Sequence, residues 1–189
     1  MVNTGTHQTE AFVIRTAQPA DADAIARLHA DSWRDTYRGM MADSFLDGDV
    51  FANRQVVWRE RLAADNPEQL VLAAERDYRL VGFICVYRDN DPTWGALIDN
   101  LHVTHDAQGR GVGTALMRAA ASWLRDGTPD RGVYLWVMNA NSGARAFYER
   151  SGGRYVETMI KTDPGGGEAP NCRYMWSSLR ALIDCDVEN

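Results

Sequence analysis

The chain has 189 residues, 45 % of them apolar and 24 % charged, with a formal net charge of −6. That length suits one domain with a full core, and no apolar run approaches the length of a membrane span. The acidic balance disfavours a nucleic-acid partner, since phosphate binding wants a basic face, and it is compatible with a cationic amine substrate, although solubility alone is the simpler cause.

Residues 1–10 are polar, lack the basic-then-apolar layout of a signal peptide and read as a flexible lead-in. Ala11 to Ala17 is a first strand. Pro19, Asp21 and Asp23 open a helix that ends near Tyr37, before Gly39. A second helical region spans residues 42–64, with Gly48 as a break and Asn66-Pro67 as its stop. The period then changes to that of strands. Gln69 to Ala74 and Arg79 to Tyr87 form a hairpin, and Arg88 to Pro92 turns into a central strand from Trp94 to Thr104. Val112 to Arg125 is a helix with the stripe Val112, Leu116, Ala119 and Trp123, ended by Gly127-Thr128-Pro129-Asp130. Val133 to Val137 is a strand covered on both faces. Ser142 to Arg150 is a helix stopped by Gly152-Gly153. Arg154 to Thr162 and Cys172 to Ser178 are the last strands, with a glycine- and proline-rich loop from Asp163 to Pro170 between them. Residues 179–189 add a helical turn and then fray. The order predicts a single α/β domain over residues 11–178, with about seven strands in a mixed, mostly antiparallel sheet and about four helices around it.

Cys85, Cys172 and Cys185 are odd in number and form no C-x-x-C. Cys85 and Cys172 read as small buried hydrophobes, and a reduced, cytoplasmic setting follows. His102 and His105, with Asp106, are a poor metal cage at a strand end, so no metal is expected.

Chemistry concentrates in Leu97 to Thr114, where an apolar strand feeds Gln108-Gly109-Arg110-Gly111-Val112-Gly113-Thr114 and opens a helix. Free first-turn amides and the helix dipole make such a corner an anion site. A P-loop is excluded because no Lys follows the glycines. The dinucleotide fingerprint, and with it a dehydrogenase, fails because Thr114 stands where the third glycine belongs. What fits is Q-x-x-G-x-G, on Gln108, Gly111 and Gly113. Downstream, Asn141, Ala144, Phe147, Tyr148, Glu149 and Gly152 spell N-x-x-A-x-x-F-Y-E followed by glycine. With both signatures and its element order, the chain resembles the GNAT superfamily of acyl-CoA-dependent N-acetyltransferases. One departure is Gly153, where the family has an aromatic, which predicts looser local packing.

The resemblance implies acetyl transfer from acetyl-CoA to a primary amine of a small molecule or peptide. Gln108, Gly109, Arg110, Gly111, Val112, Gly113 and Thr114 then meet the pyrophosphate. Backbone at Leu101, His102 and Val103 meets the pantetheine arm and acyl carbonyl, and Asn141 makes a further cofactor contact while capping its helix. Tyr148 is the candidate general acid for the departing thiolate. Asp99 is the leading candidate base, because alternation gives it the parity of Leu101 and Val103, whereas His102 and Asn100 have the opposite parity. Trp33, Tyr37 and Trp58 lie in the first helices, where the family builds its acceptor pocket; most of them read as core, and Trp33 and Tyr37, four apart, share a helix face that could line a cleft. A homodimer is in keeping with the resemblance. The competing readings are an acyl-CoA sensor without turnover and a protein N-terminal acetyltransferase.

Overall fold

The computed structural model describes residues 11–126 and 132–183. Residues 1–10, the stop at Gly127–Asp130, Cys185 and residues 184–189 lie outside the described residues. Segments of period two pair into one seven-stranded sheet in the order β1-β2-β3-β4-β5-β7-β6. The strands are β1 (Val13–Thr16), β2 (Gln69–Arg76), β3 (Arg79–Asp91), β4 (Gly95–Val103), β5 (Val133–Met138), β6 (Arg154–Thr162) and β7 (Glu168–Trp176). Only β4 and β5 run parallel, so the sheet is mixed and mostly antiparallel.

Alternation divides the strands between two cores. Leu72, Ala74, Ile84, Val86, Leu135 and Val137 face α4 (Val112–Arg125). Val71, Ala73, Phe83 and Cys85 face α1 (Ala22–Thr36) and α3 (Val50–Ala63). Gly48 does break the second helical region, leaving α2 (Asp43–Asp47) ahead of α3. The helix α5 (Ser142–Arg150) starts at Asn141, whose Oδ1 accepts from the Ala144 amide at 3.1 Å, and a short α6 (Arg180–Ile183) follows β7. Among the described residues no helix is long and apolar enough to cross a membrane.

Three sequence expectations need correction. The inner face of α4 is Val112, Leu116, Met117, Ala120, Ala121 and Leu124. Ala119 and Trp123 lie at its margin, with the Arg88 guanidinium 3.5 Å from the Trp123 ring centroid. β3 continues to Asp91, whose Oδ1 accepts the Thr93 and Trp94 amides and so tightens the turn to three residues. β7 begins at Glu168, inside the expected loop. Pro170 is tolerated there because it lies beyond the end of the β5 ladder, and its carbonyl still accepts from the Asn139 amide at 2.8 Å. The remaining turn is closed by Asp163, whose Oδ1 accepts the Gly165 amide at 2.7 Å.

A bulge in β4 positions the site. Cys85 pairs with Asn100 but Val86 pairs with Ile98, so Asp99 is an extra residue in the strand. A bulge shifts every later side chain to the other face. Ala96 and Ile98 pack against the α4 core, and Leu101 and Val103 resume that face after the bulge.

Candidate active site along the fourth strand

The corner after β4 is built from backbone. The Gln108 side-chain amide donates to the Val103 carbonyl at 3.2 Å and ties the loop to the strand end. Gly109 and Gly111 have φ of +71° and +81°, where a side chain costs about 1–2 kcal/mol. A Cβ added at either meets nothing within 4 Å, so a side chain there would occupy open space beside the loop. Gly111 is the N-cap of α4, and its carbonyl accepts the Ala115 amide at 2.9 Å. The amides of Val112, Gly113 and Thr114 fall in the first turn, which has no intrahelical acceptors and carries the positive end of the dipole. Room, free amides and positive potential fit a pyrophosphate. Gly113 lies against the Phe147 ring of α5, where an added Cβ would make an ordinary contact at 3.4 Å. Arg110 is exposed.

From this corner β4 runs back along an open seam. β4 and β5 pair only at Ala96↔Val133, Leu97↔Tyr134 and Ile98↔Leu135. Beyond those pairs β4 continues to Val103 and β5 to Met138 with no ladder between them. An extended ligand can add to such an edge as a strand would.

Tyr148 flanks the seam from α5. It is buried, with its ring edge-on to Trp176 at 6.1 Å and 88°. Burial, with the neighbouring Tyr37 hydroxyl, pushes its pKa up, so the phenol stays protonated at neutral pH. Burial raises Tyr37 as well, against an opposing contact from Asn141. Gly153 does not loosen this region. A Cβ there would lie 2.6 Å from Trp176 Cζ2 and 2.8 Å from the Tyr148 carbonyl. The missing side chain is what lets the Trp176 indole slide in behind Tyr148 and donate to the Ser151 carbonyl at 2.7 Å.

Asp99 lies on the face opposite to the one alternation predicts. The bulge turns it towards α3, where Oδ2 pairs with Arg61 Nη1 at 2.6 Å and accepts from Asn100 Nδ2 at 2.5 Å. Oδ1 has no partner among the described residues. Asp99 borders a cleft shared with Asn90, Leu97, Tyr134, Trp136 and Lys161. His102 faces this side as well, opposite to Leu101 and Val103 as alternation predicts, so the bulge puts Asp99 and His102 on one face instead of opposite ones. The His102 Nδ1 lies 2.9 Å from Ser32 Oγ, and its ring centroid is 4.4 Å from that of His29. Burial, with Arg54 adding to it, lowers the His102 pKa to about 3. His29 is buried deeper and is likewise driven well below its ordinary value, first by burial and then by His102. Trp58 Nε1 donates to His29 Nδ1 at 3.0 Å, so the His29 proton sits on Nε2. His105 is exposed and Asp106 pairs with Arg76, so they do not converge with His102.

Residues 24–153, well over half of the chain, match the acetyltransferase (GNAT) family profile. The chain belongs to the GNAT acetyltransferase family. It is 27 % identical over 143 residues to a probable N-acetyltransferase of Mycobacterium tuberculosis, covering 72 % of this chain and 76 % of that one. Its fold superposes with a TM-score of 0.70 on a GCN5-related N-acetyltransferase from Rhodopseudomonas palustris, at 21 % identity over 87 % of this chain and 94 % of the other. With the PaiA N-acetyltransferase of Thermoplasma acidophilum, solved in complex with coenzyme A, the TM-score is 0.68 at 17 % identity, covering 88 % and 99 %.

Within this GNAT fold, β4, the glycine corner and α5 bring Leu101 to Val103, Gln108 to Thr114, Asn141 and Tyr148 around one seam. Trp33 and Tyr37 do share a face, with ring centroids 6.0 Å apart, and Trp58 is fully buried. Sequence reasoning missed the cations around Asp99: Arg61, which pairs with it, and Arg54, both on α3, and Lys161 on β6. One signal was available, since Arg54, Trp58 and Arg61 keep the i, i+4, i+7 spacing of a single helix face. Another was the adjacent polar pair Asp99-Asn100 in an otherwise apolar strand, which marks the bulge.

Proposed function

We propose that this enzyme transfers an acetyl group from acetyl-CoA directly to a primary amine of a small molecule or peptide. The observation that carries the reading is the open seam between β4 and β5, bounded by the glycine corner at one end and Asp99 at the other. Acetyl-CoA supplies an activated acetyl thioester. Gln108 to Thr114 hold its pyrophosphate, the backbone of Leu101, His102 and Val103 binds the arm and polarises the acyl carbonyl, and Asn141 adds a polar contact. Tyr148, kept protonated by burial, gives its proton to the departing thiolate. Asp99 Oδ1 takes the amine proton, while Arg61 and Asn100 fix the carboxylate through Oδ2. The reaction takes place in the cytoplasm.

The test is coenzyme A release from acetyl-CoA across a panel of primary amines and peptides. Turnover with one acceptor class supports the reading. Tight acetyl-CoA binding without turnover on any member would instead make the chain an acyl-CoA sensor.

A further inference from the structure

The face of the sheet beside Asp99 carries more positive charge than its own acids neutralise, in a chain whose net charge is −6. Arg61 is paired with Asp99. Arg54, two turns earlier on α3, has no carboxylate partner among the described residues. Its guanidinium lies 4.5 Å from the Trp33 ring centroid, and Nε donates to Asn53 Oδ1 at 3.0 Å. Burial and the neighbouring Arg61 bring its pKa down to about 10, with Asp99 pulling the other way. Lys161, which borders the Asp99 cleft, has no acid partner either. Its Nζ stands 3.8 Å from the Trp136 ring centroid. Its pKa is lowered by burial and Arg173, against the pull of Asp99.

Arg173 is 9 % exposed and lies 4.3 Å and 4.4 Å from the rings of Trp94 and Trp136. One nitrogen pairs with Glu157 at 2.8 Å, while Nε and Nη1 have no hydrogen-bond partner among the described residues. Asp91 also acts on Tyr134, which lines the same cleft, so four cations, Arg54, Arg61, Lys161 and Arg173, face three carboxylates, Asp91, Asp99 and Glu157. A bare ammonium entering this cleft adds to an existing excess of charge, whereas an anionic group relieves it.

We propose that the acceptor carries an anionic group, a carboxylate or a phosphate, as well as its amine, and that Lys161 receives this group in the cleft beside Asp99 while Arg54 adds to the positive field from α3. The inference rests on the acetyl-transfer reading. It assigns the cleft two tasks. Lys161 binds the anion by charge-assisted hydrogen bonds, and the positive field favours the neutral, nucleophilic amine over its ammonium.

The experiment compares matched acceptors at saturating acetyl-CoA, reading coenzyme A release. Free α-amino acids are set against their carboxamides, and phosphoethanolamine against ethanolamine. The expected result is a kcat/KM at least tenfold higher for the anionic member of one pair, which also tells carboxylate from phosphate. Lys161→Gln and Arg54→Gln should each shrink that ratio several-fold, mainly through KM, with acetyl-CoA affinity and thermal unfolding reporting that the variants are folded. Equal or better rates with the neutral members, or a ratio that neither substitution moves, would overturn the proposal and leave acetyl transfer standing. Absence of turnover on every member, with acetyl-CoA bound, would remove both.

Discussion

The two ends of β4 are built by different means. At its C-terminal end the site consists of backbone: two glycines with positive φ, the first amides of α4 and the room that missing side chains leave. At the bulge the site consists of side chains from α1, α3, β4, β6 and β7, set against one another by charge and burial. The first kind of site tolerates change in everything except shape. The second depends on each group finding its counterpart across long stretches of chain. On the proposed reading, a change of acceptor calls for substitutions only at the bulge, because only that end depends on side-chain identity.

Substitutions can separate the two ends. The largest effect is expected for Gly111→Asp. It places a side chain where φ is +81° and sets a carboxylate beside the proposed pyrophosphate site, so acetyl-CoA affinity should fall on the order of a thousandfold by calorimetry. Retained affinity would show that the corner is not the anion site. Next is Tyr148→Phe, which leaves the backbone corner intact. It should lower kcat about a hundredfold with little change in acetyl-CoA affinity, and an unchanged kcat would take the phenol out of the proton pathway.

The smallest effect belongs to the two imidazoles of the other end, His29 and His102. The folded chain holds His102 neutral down to about pH 3, whereas an unfolded histidine takes up a proton near 6.5. Stability is therefore complete above about pH 6.5. It falls by up to about 1.4 kcal/mol per pH unit as pH drops from there towards 3. His102→Gln should flatten that slope in urea-unfolding midpoints measured from pH 7 to 4.5, leaving the part due to His29. An identical slope in the variant would mean that His102 is not held neutral by the fold.

Legibility followed the same division. Gln108 to Thr114 could be read because a strand, a glycine corner and a helix lie within one continuous stretch, and the cap of α5 because Asn141 bonds an amide three residues away. Gly153 misled for the opposite reason. Its neighbour is Trp176, far along the chain, and an empty side chain says nothing of what fills the space. Asp99 was assigned the wrong face because alternation presumes a regular ladder.

By itself the sequence determined the element order, the two GNAT signatures and the strand–glycine–helix form of the corner at Gln108 to Thr114, all of which rest on local rules of periodicity, capping and glycine conformation. Only the tertiary structure decided that Asp99 and His102 share a face and what charge surrounds them. Facing depends on a single extra residue in β4, and the field at the bulge is a sum over groups that only the folded sheet brings together.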